Sequence, residues 1–430
     1  MKLITHMEPS QLRLGYLCCL SLVAGRQLDT RQALVDRLGR FVFQMIDEAD
    51  PRWPEFAKSV DRNELQRMRT PVDEKTAELH ELFGMTDTSA PAYQLQALWL
   101  SQRDIPSHLG LLTEKNATRI LEMGRSFELL TTGYALSEKG VFLNKFLQAT
   151  MPGVLDGAPT ANPFAIARRP ALQLFLLYAL LSVDILTPFL LKRFASSQQG
   201  DPSNSPKLLP QAANDLVDSL VDVTDISNVE SLRSCRQFAE RLQSKAVARN
   251  QAQPRYHHLF ELGLVDRSEA DDGGRRVVPY VATDAGSRAA SVFQTLREDT
   301  EQQLELIDTH FFHWAAEIYD FDAKPCDGDL RRLYYFARGF PYLEREIGFT
   351  PGRTIALAGC LLGLEEGWII EIAEMFSVLR TMAAGPWRPY LEYSGGSRLD
   401  QEFLIKVKPG LIDAIEEQLP PTSQRERTPK

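Results

Sequence analysis

The chain has 430 residues, with 48 Lys and Arg against 57 Asp and Glu, for a formal net charge of −9. A molecule of that sign repels phosphate as a whole, so any nucleic-acid contact must come from a local basic surface. Hydrophobic content of 44% and charged content of 24% are those of an ordinary globular protein, and the length suits two to four domains of roughly 100–200 residues.

The five cysteines, Cys18, Cys19, Cys235, Cys326 and Cys360, are scattered and lack the CxxC spacing of a zinc site. They are expected as free, mostly buried thiols of a cytoplasmic protein. The apolar N-terminal run is interrupted by Arg13 and reads as a buried helix, not an export signal. In "ALQLFLLYALLSVDILTPFLLKR" (171–193), Asp184 and Pro188 interrupt the apolar pattern. A central Asp costs about 2.5–3.5 kcal/mol on insertion into a bilayer. The stretch is expected as a helix–turn–helix pair inside a core, with no membrane contact.

In chain order, residues 8–48 predict two helices, the second starting at Asp29-Thr30. An amphipathic helix is expected over 72–84, closed by Gly84, and another from Tyr93. A Thr113-capped helix should end near Gly124. A small hairpin is expected about Thr132-Gly133, then a helix capped by Ser137. Residues 151–163 and 195–210 read as linkers. Helices follow at about 211–221 and 229–248, and one long helix at 286–319 whose polar middle suggests an exposed connector. The last part predicts an apolar helix over 366–382, a hairpin about "SGGS", a short helix and a disordered tail. A weak internal echo links "WLSQRDIPSHLGLL" (99–112) with "ALLSVDILTPFLLK" (179–192).

The order in "PRYHHLFELGLVDRSEADDGGRRVVPYVATDAGSRAA" is a helix end, a strand, an acidic glycine turn, a second strand and a new helix. Similar orders occur around 113–150 and, more loosely, 353–419. The pattern resembles the winged helix-turn-helix family. The resemblance implies a mainly α fold of tandem winged-helix units, each a helix bundle plus a short β-hairpin, linked by helices. The expected division is 1–90, an N-terminal helical region; 91–150, a first unit; 164–297, a second unit with a helical insertion; 286–325, a connector helix; 330–419, a third, divergent unit; and 420–430, the tail.

In this family a helix enters the DNA major groove and the wing touches the backbone or minor groove. Carried over, the helix face is Arg249, Asn250, Gln251, Gln253, Arg255 and His257, and the wing contacts are Arg275 and Arg276. The first unit offers Lys115, Asn116, Arg119 and Arg125, and the third Arg388, Arg398 and Lys406. Arg, Asn and Gln are the types that pair with guanine and adenine edges. Against this, residues 249–290 hold six arginines and six acids, so the segment is neutral.

Catalytic signals are sparse. His310, His313 and Glu317 share a helix side but lack HExxH, and their neighbours are aromatic. No phosphate-cradling or nucleophile-elbow motif occurs. The resemblance implies non-catalytic binding of double-stranded DNA, as a regulator or as the recognition subunit of a bacterial DNA-processing or defence complex. Protein partner subunits or a homodimer are expected, with no cofactor, metal or small-molecule substrate. The alternatives are a protein–protein scaffold built from the same units and, more distantly, a metal-dependent enzyme around His310 and His313.

Overall fold

The computed structural model describes residues 1–8, 11, 13–49, 114–156, 163–164, 166, 169–197, 205–222, 229–267, 280–343, 349–395 and 403–419. The expected helices at 72–84 and from Tyr93, the wing tip with Arg275 and Arg276, Arg398, and the tail lie outside the described residues. The protein is mainly helical. It divides into two compact units, 2–290 and 291–430.

In the first unit, α1 (Gly15–Val23), α2 (Arg31–Ala49), α3 (Glu114–Ser126) and α4 (Glu138–Thr150) form one cluster, with α1 packed on the other three. Thr30 caps α2 by accepting the Ala33 N–H, and Ser137 caps α4 by accepting the Gly140 N–H. The hairpin expected between α3 and α4 is reduced to a single bridge, Leu130 to Leu136. The N-terminal helix starts only at Gly15, and residues 2–8 form an irregular strap.

Helices α5 (Pro170–Val183) and α6 (Leu186–Ser196) meet at a 109° bend. The bend falls at Asp184, and Pro188 sits in the first turn of α6, where its missing N–H has no helical partner to lose. No single helix among the described residues is long and apolar enough to cross a membrane; the bent pair passes that test only when taken together. Every residue of α5 after Pro170 is buried.

Helices α7 (Ser205–Asp222), α8 (Val229–Arg241) and α9 (Lys245–Glu261) then build a second cluster on α6. The single helix expected over 229–248 breaks at Leu242–Ser244. Leu242 is buried there and its N–H still bonds the Phe238 carbonyl, so the break is a tight turn between α8 and α9. Gly263, at φ +69°, closes α9 and turns the chain into β1 (Val265–Arg267). β1 pairs antiparallel with β2 (Tyr280–Ala282), and α10 (Asp284–Val292) follows.

The long connector helix expected over 286–319 is three pieces: the end of α10, α11 (Gln294–Glu298) and α12 (Gln303–Tyr319). Its polar middle is the reason. The Asp299 carboxylate accepts the Gln302 N–H, a local bond that competes with helix continuation, and Thr300 is buried in the turn.

In the second unit, α13 (Asp329–Gly339), α14 (Gly352–Glu365) and α15 (Ile372–Ala384) pack together. A three-stranded antiparallel sheet covers them, formed by β4 (Thr350–Pro351), β6 (Leu391–Gly395) and β7 (Phe403–Val407) in the order β4–β7–β6. A two-residue parallel pair, β3 (Lys324–Pro325) with β5 (Trp368–Ile369), and α16 (Leu411–Glu416) complete it. The apolar helix expected over 366–382 begins at Ile372. Gly367 takes φ +82° and turns the chain, and Glu371 starts α15 through a capping box with Glu374.

Helices α13 and α14 cross with their backbones in contact. A Cβ on Gly359 would stand 2.8 Å from the Tyr335 carbonyl oxygen, and one on Gly339 2.8 Å from that of Ile355. Backbone cannot yield as a side-chain tip can, so Gly359→Leu should cost at least about 2 kcal/mol. Denaturant melts monitored by circular dichroism measure this; an unchanged midpoint would contradict the close crossing.

Candidate nucleic-acid interface

Helix α9 has two polar faces, and the six-residue face expected from the sequence mixes them. A helix face repeats every three or four residues. Lys245, Arg249, Asn250 and Gln253 are exposed and fall on one stripe. Gln251 (5% exposed), Arg255 (3%) and His257 (7%) are buried. These three cannot read DNA in this fold.

Each buried residue has an internal task. The Gln251 side-chain amide accepts the Met7 N–H at 2.9 Å and donates to the Met7 carbonyl at 2.8 Å. Arg255 pairs with the fully buried Asp184 at 3.2 Å and donates to the Ile4 carbonyl. Asp184 in turn accepts the Ile4 N–H at 3.4 Å. His257 Nδ1 and the Tyr280 hydroxyl share a hydrogen bond of 3.2 Å, which ties α9 to β2. Further along the same inner side, His258 Nε2 donates to the Gln11 carbonyl at 2.8 Å. Glu261 accepts the Leu14 N–H and pairs with Arg13. The inner face of α9 thus satisfies backbone groups of Ile4, Met7, Gln11 and Leu14.

Burial shapes the titration of this stripe. It raises the Asp184 carboxyl, an effect that the Arg255 guanidinium opposes. It pushes the His258 imidazole down from 6.5 to about 4, so this ring is neutral at pH 7 and serves as a donor.

The solvent face of α8, the turn and α9 has a different character. Arg233, Arg236, Arg241, Lys245 and Arg249 are exposed there, against the acids Glu230 and Glu240. None of the five cations pairs with a carboxylate among the described residues. Arg241 lies over the Phe238 ring and donates to the Thr5 carbonyl. Asn250 and Gln253 add amide groups to the same surface. A cleft of about 230 Å³ separates it from the strap, lined in part by Thr5, Phe238, Arg241, Val247 and Asn250. Sequence reading missed Arg233, Arg236, Arg241 and Lys245, because they precede the segment where the hairpin signal drew attention. The alternation of buried Leu232, Cys235, Phe238 and Ala239 with exposed arginines is the sign that would have found them.

The other expected contacts are less available. In α3, Arg119 pairs with Glu8 at 3.0 Å, and Arg125 pairs with Glu122 and stacks on Tyr134. Asn116 is half-buried, and the Lys115 side chain lies outside the described set. In the second unit, Arg388 and Lys406 are exposed.

No protein-family model, curated protein or solved structure matches this chain. The site therefore stands on its own geometry.

His310, His313 and Glu317 are exposed on one side of α12, and both histidines have neighbours. His310 lies against Trp314. His313 donates from Nδ1 to the buried Glu371 at 2.8 Å, and Glu371 also accepts the Phe312 and His313 backbone N–H groups. That hydrogen bond raises the His313 pKa, so the stability it adds is present at low pH and lost as pH rises through the raised value. Among the described residues no three His, Cys, Asp or Glu groups stand together as a metal site. All five cysteines are buried, and burial pushes Cys235 and Cys326 up to about 11, so they are not reactive thiolates at neutral pH.

Two outcomes are expected from the inner stripe. His258 has a folded pKa below its unfolded value, so the unfolded chain binds more protons between them. Its contribution is complete above pH 6.5 and is lost as pH falls toward about 4, amounting to about 3 kcal/mol. His258→Gln keeps a donor toward Gln11 and should flatten that part of the stability–pH curve, as read from melts of both chains across the window. Arg255→Met strands Asp184 and should cost about 3–5 kcal/mol, with Asp184→Leu in the same chain recovering a large part. Equal stability of the single variant and the parent would remove the pair from this role.

Proposed function

We propose that this protein binds double-stranded DNA without catalysing a reaction, through winged-helix units, with the solvent face of α8 and α9 as its reading surface. One observation carries this reading. Five exposed cations and only two exposed acids lie along these two helices, on a chain whose overall charge is −9. Such local excess opposes the field of the whole molecule, and it sits on two helices joined by a three-residue turn.

The arrangement of elements supports the winged-helix part. A helical cluster followed by a hairpin occurs as α7–α8–α9–β1–β2 and again as α13–α14–α15–β6–β7, where β4 adds a third strand. In the first of these, the exposed stripe Lys245, Arg249, Asn250 and Gln253 occupies the N-terminal half of α9, the part of a recognition helix that reaches base edges. Arg236 and Arg241 of α8 suit phosphate contacts. The second cluster is less suited to reading, because the N-terminus of α15 is covered by α12 through Glu371 and His313. In this reading the protein is a regulator or the recognition subunit of a larger DNA-processing or defence complex.

Fluorescence anisotropy with a labelled duplex at about 50 mM salt tests it. Affinity should fall linearly on a log–log plot with a slope of about −3 to −5, as expected for four or five neutralised phosphates. Arg236→Glu, Lys245→Glu and Arg249→Glu together should abolish binding with the melting temperature unchanged. Asn250→Ala should relax base preference more than it weakens binding. Absence of binding by the folded parent chain at low salt would reject the proposal and leave the scaffold reading.

A further inference from the structure

We infer that the inner face of α9, together with the start of α6, is a peptide-binding groove occupied in cis by residues 2–8. Its ligand class is an irregular peptide segment with apolar residues three apart, recognised mainly through its backbone. The inference does not rest on the DNA-binding reading, though Arg241 belongs to both surfaces.

The strap has no helix or strand of its own, so its backbone groups need partners elsewhere. Groups of other elements, mostly side chains, supply them. Gln251 makes a paired donor and acceptor contact with Met7, and Arg255 and Asp184 do the same for Ile4. The Ile185 N–H donates to the Lys2 carbonyl at 3.0 Å, and Arg241 to that of Thr5 at 3.2 Å. Four successive contact points therefore read carbonyl and amide groups, which every peptide carries.

The strap's own side chains divide as those of a bound peptide do. Ile4 and Met7 are buried, at 8% and 3% exposure, while Lys2 and His6 are exposed. The ends are held by ion pairs, an exposed one of Lys2 with Glu128, which is weak, and a half-buried one of Glu8 with Arg119. An ordinary core segment would be held by apolar packing along its length. Here two anchors and a polar track do the holding, and both are interactions that a second segment of the same pattern can replace. Arg255 also makes contacts within the groove wall that do not involve the strap, donating to the Gln251 backbone and side chain at 3.1 and 3.2 Å.

The test uses the full chain carrying Ile4→Asp and Met7→Asp, which ejects the strap by placing charge in both apolar pockets. A fluorescent synthetic peptide of residues 1–8 should bind this variant at least about tenfold more tightly than the parent, where the tethered strap competes at high effective concentration. Adding Gln251→Leu should weaken the peptide about tenfold, the loss of its two hydrogen bonds. A folded double variant that takes up no more peptide than the parent overturns the inference, as does full binding after Gln251→Leu. Should the double variant not fold, amide exchange in the parent chain decides. Exchange of the Ile4 and Met7 amides well before those of Leu259 and Leu262 supports a detachable strap. Exchange of all four together, by global unfolding, overturns it.

Discussion

The first unit depends on one constraint: backbone polar groups taken out of water must be paired. Ile4, Met7, Gln11 and Leu14 bond to α9 before or at the start of α1, and residues 2–8 are in neither helix nor strand. The helix meets this need with a polar inner stripe, Gln251, Arg255, His258 and Glu261, at spacings that return to the same side of the helix. An unpaired buried amide or carbonyl costs on the order of 1–3 kcal/mol, so several such bonds together decide whether this face closes. Asp184, at the 109° bend between α5 and α6, belongs to the same network. The residue that breaks the apolar run is the residue that holds α9 and the strap together.

This division of labour leaves the opposite side of α9 free. Because the inner stripe absorbs the helix's buried polar residues, the outer stripe carries cations and amides with no described carboxylate attached. A single helix so has a structural side and a solvent side that are both polar, which hydropathy cannot separate. The proposed DNA-reading surface and the proposed peptide groove are these two sides.

The second unit is held differently. Its helices α13 and α14 approach until only glycine fits, and its sheet is closed by β4 adding to the β6–β7 hairpin. Glu371 serves several donors at once there, starting α15 and fastening α12 to it. The same logic recurs: a buried carboxylate is retained because it satisfies several N–H groups.

Much of the local structure was legible in the residues alone. Thr30 and Ser137 are caps by type and position, and Asp184 and Pro188 break an apolar run, since these preferences act over one turn of chain. The same local rules misplaced the long connector helix, where Asp299 forms a turn, and the start of α15 beyond Gly367. The sequence also showed that Arg255, Gln251 and His257 lie on a helix near a hairpin. It did not show that they face inward, because their partners Ile4, Met7, Asp184 and Tyr280 are distant in the chain or lie across the hairpin. Only the tertiary structure decided which side of α9 meets water, for burial is a property of what packs against a residue and not of the residue itself.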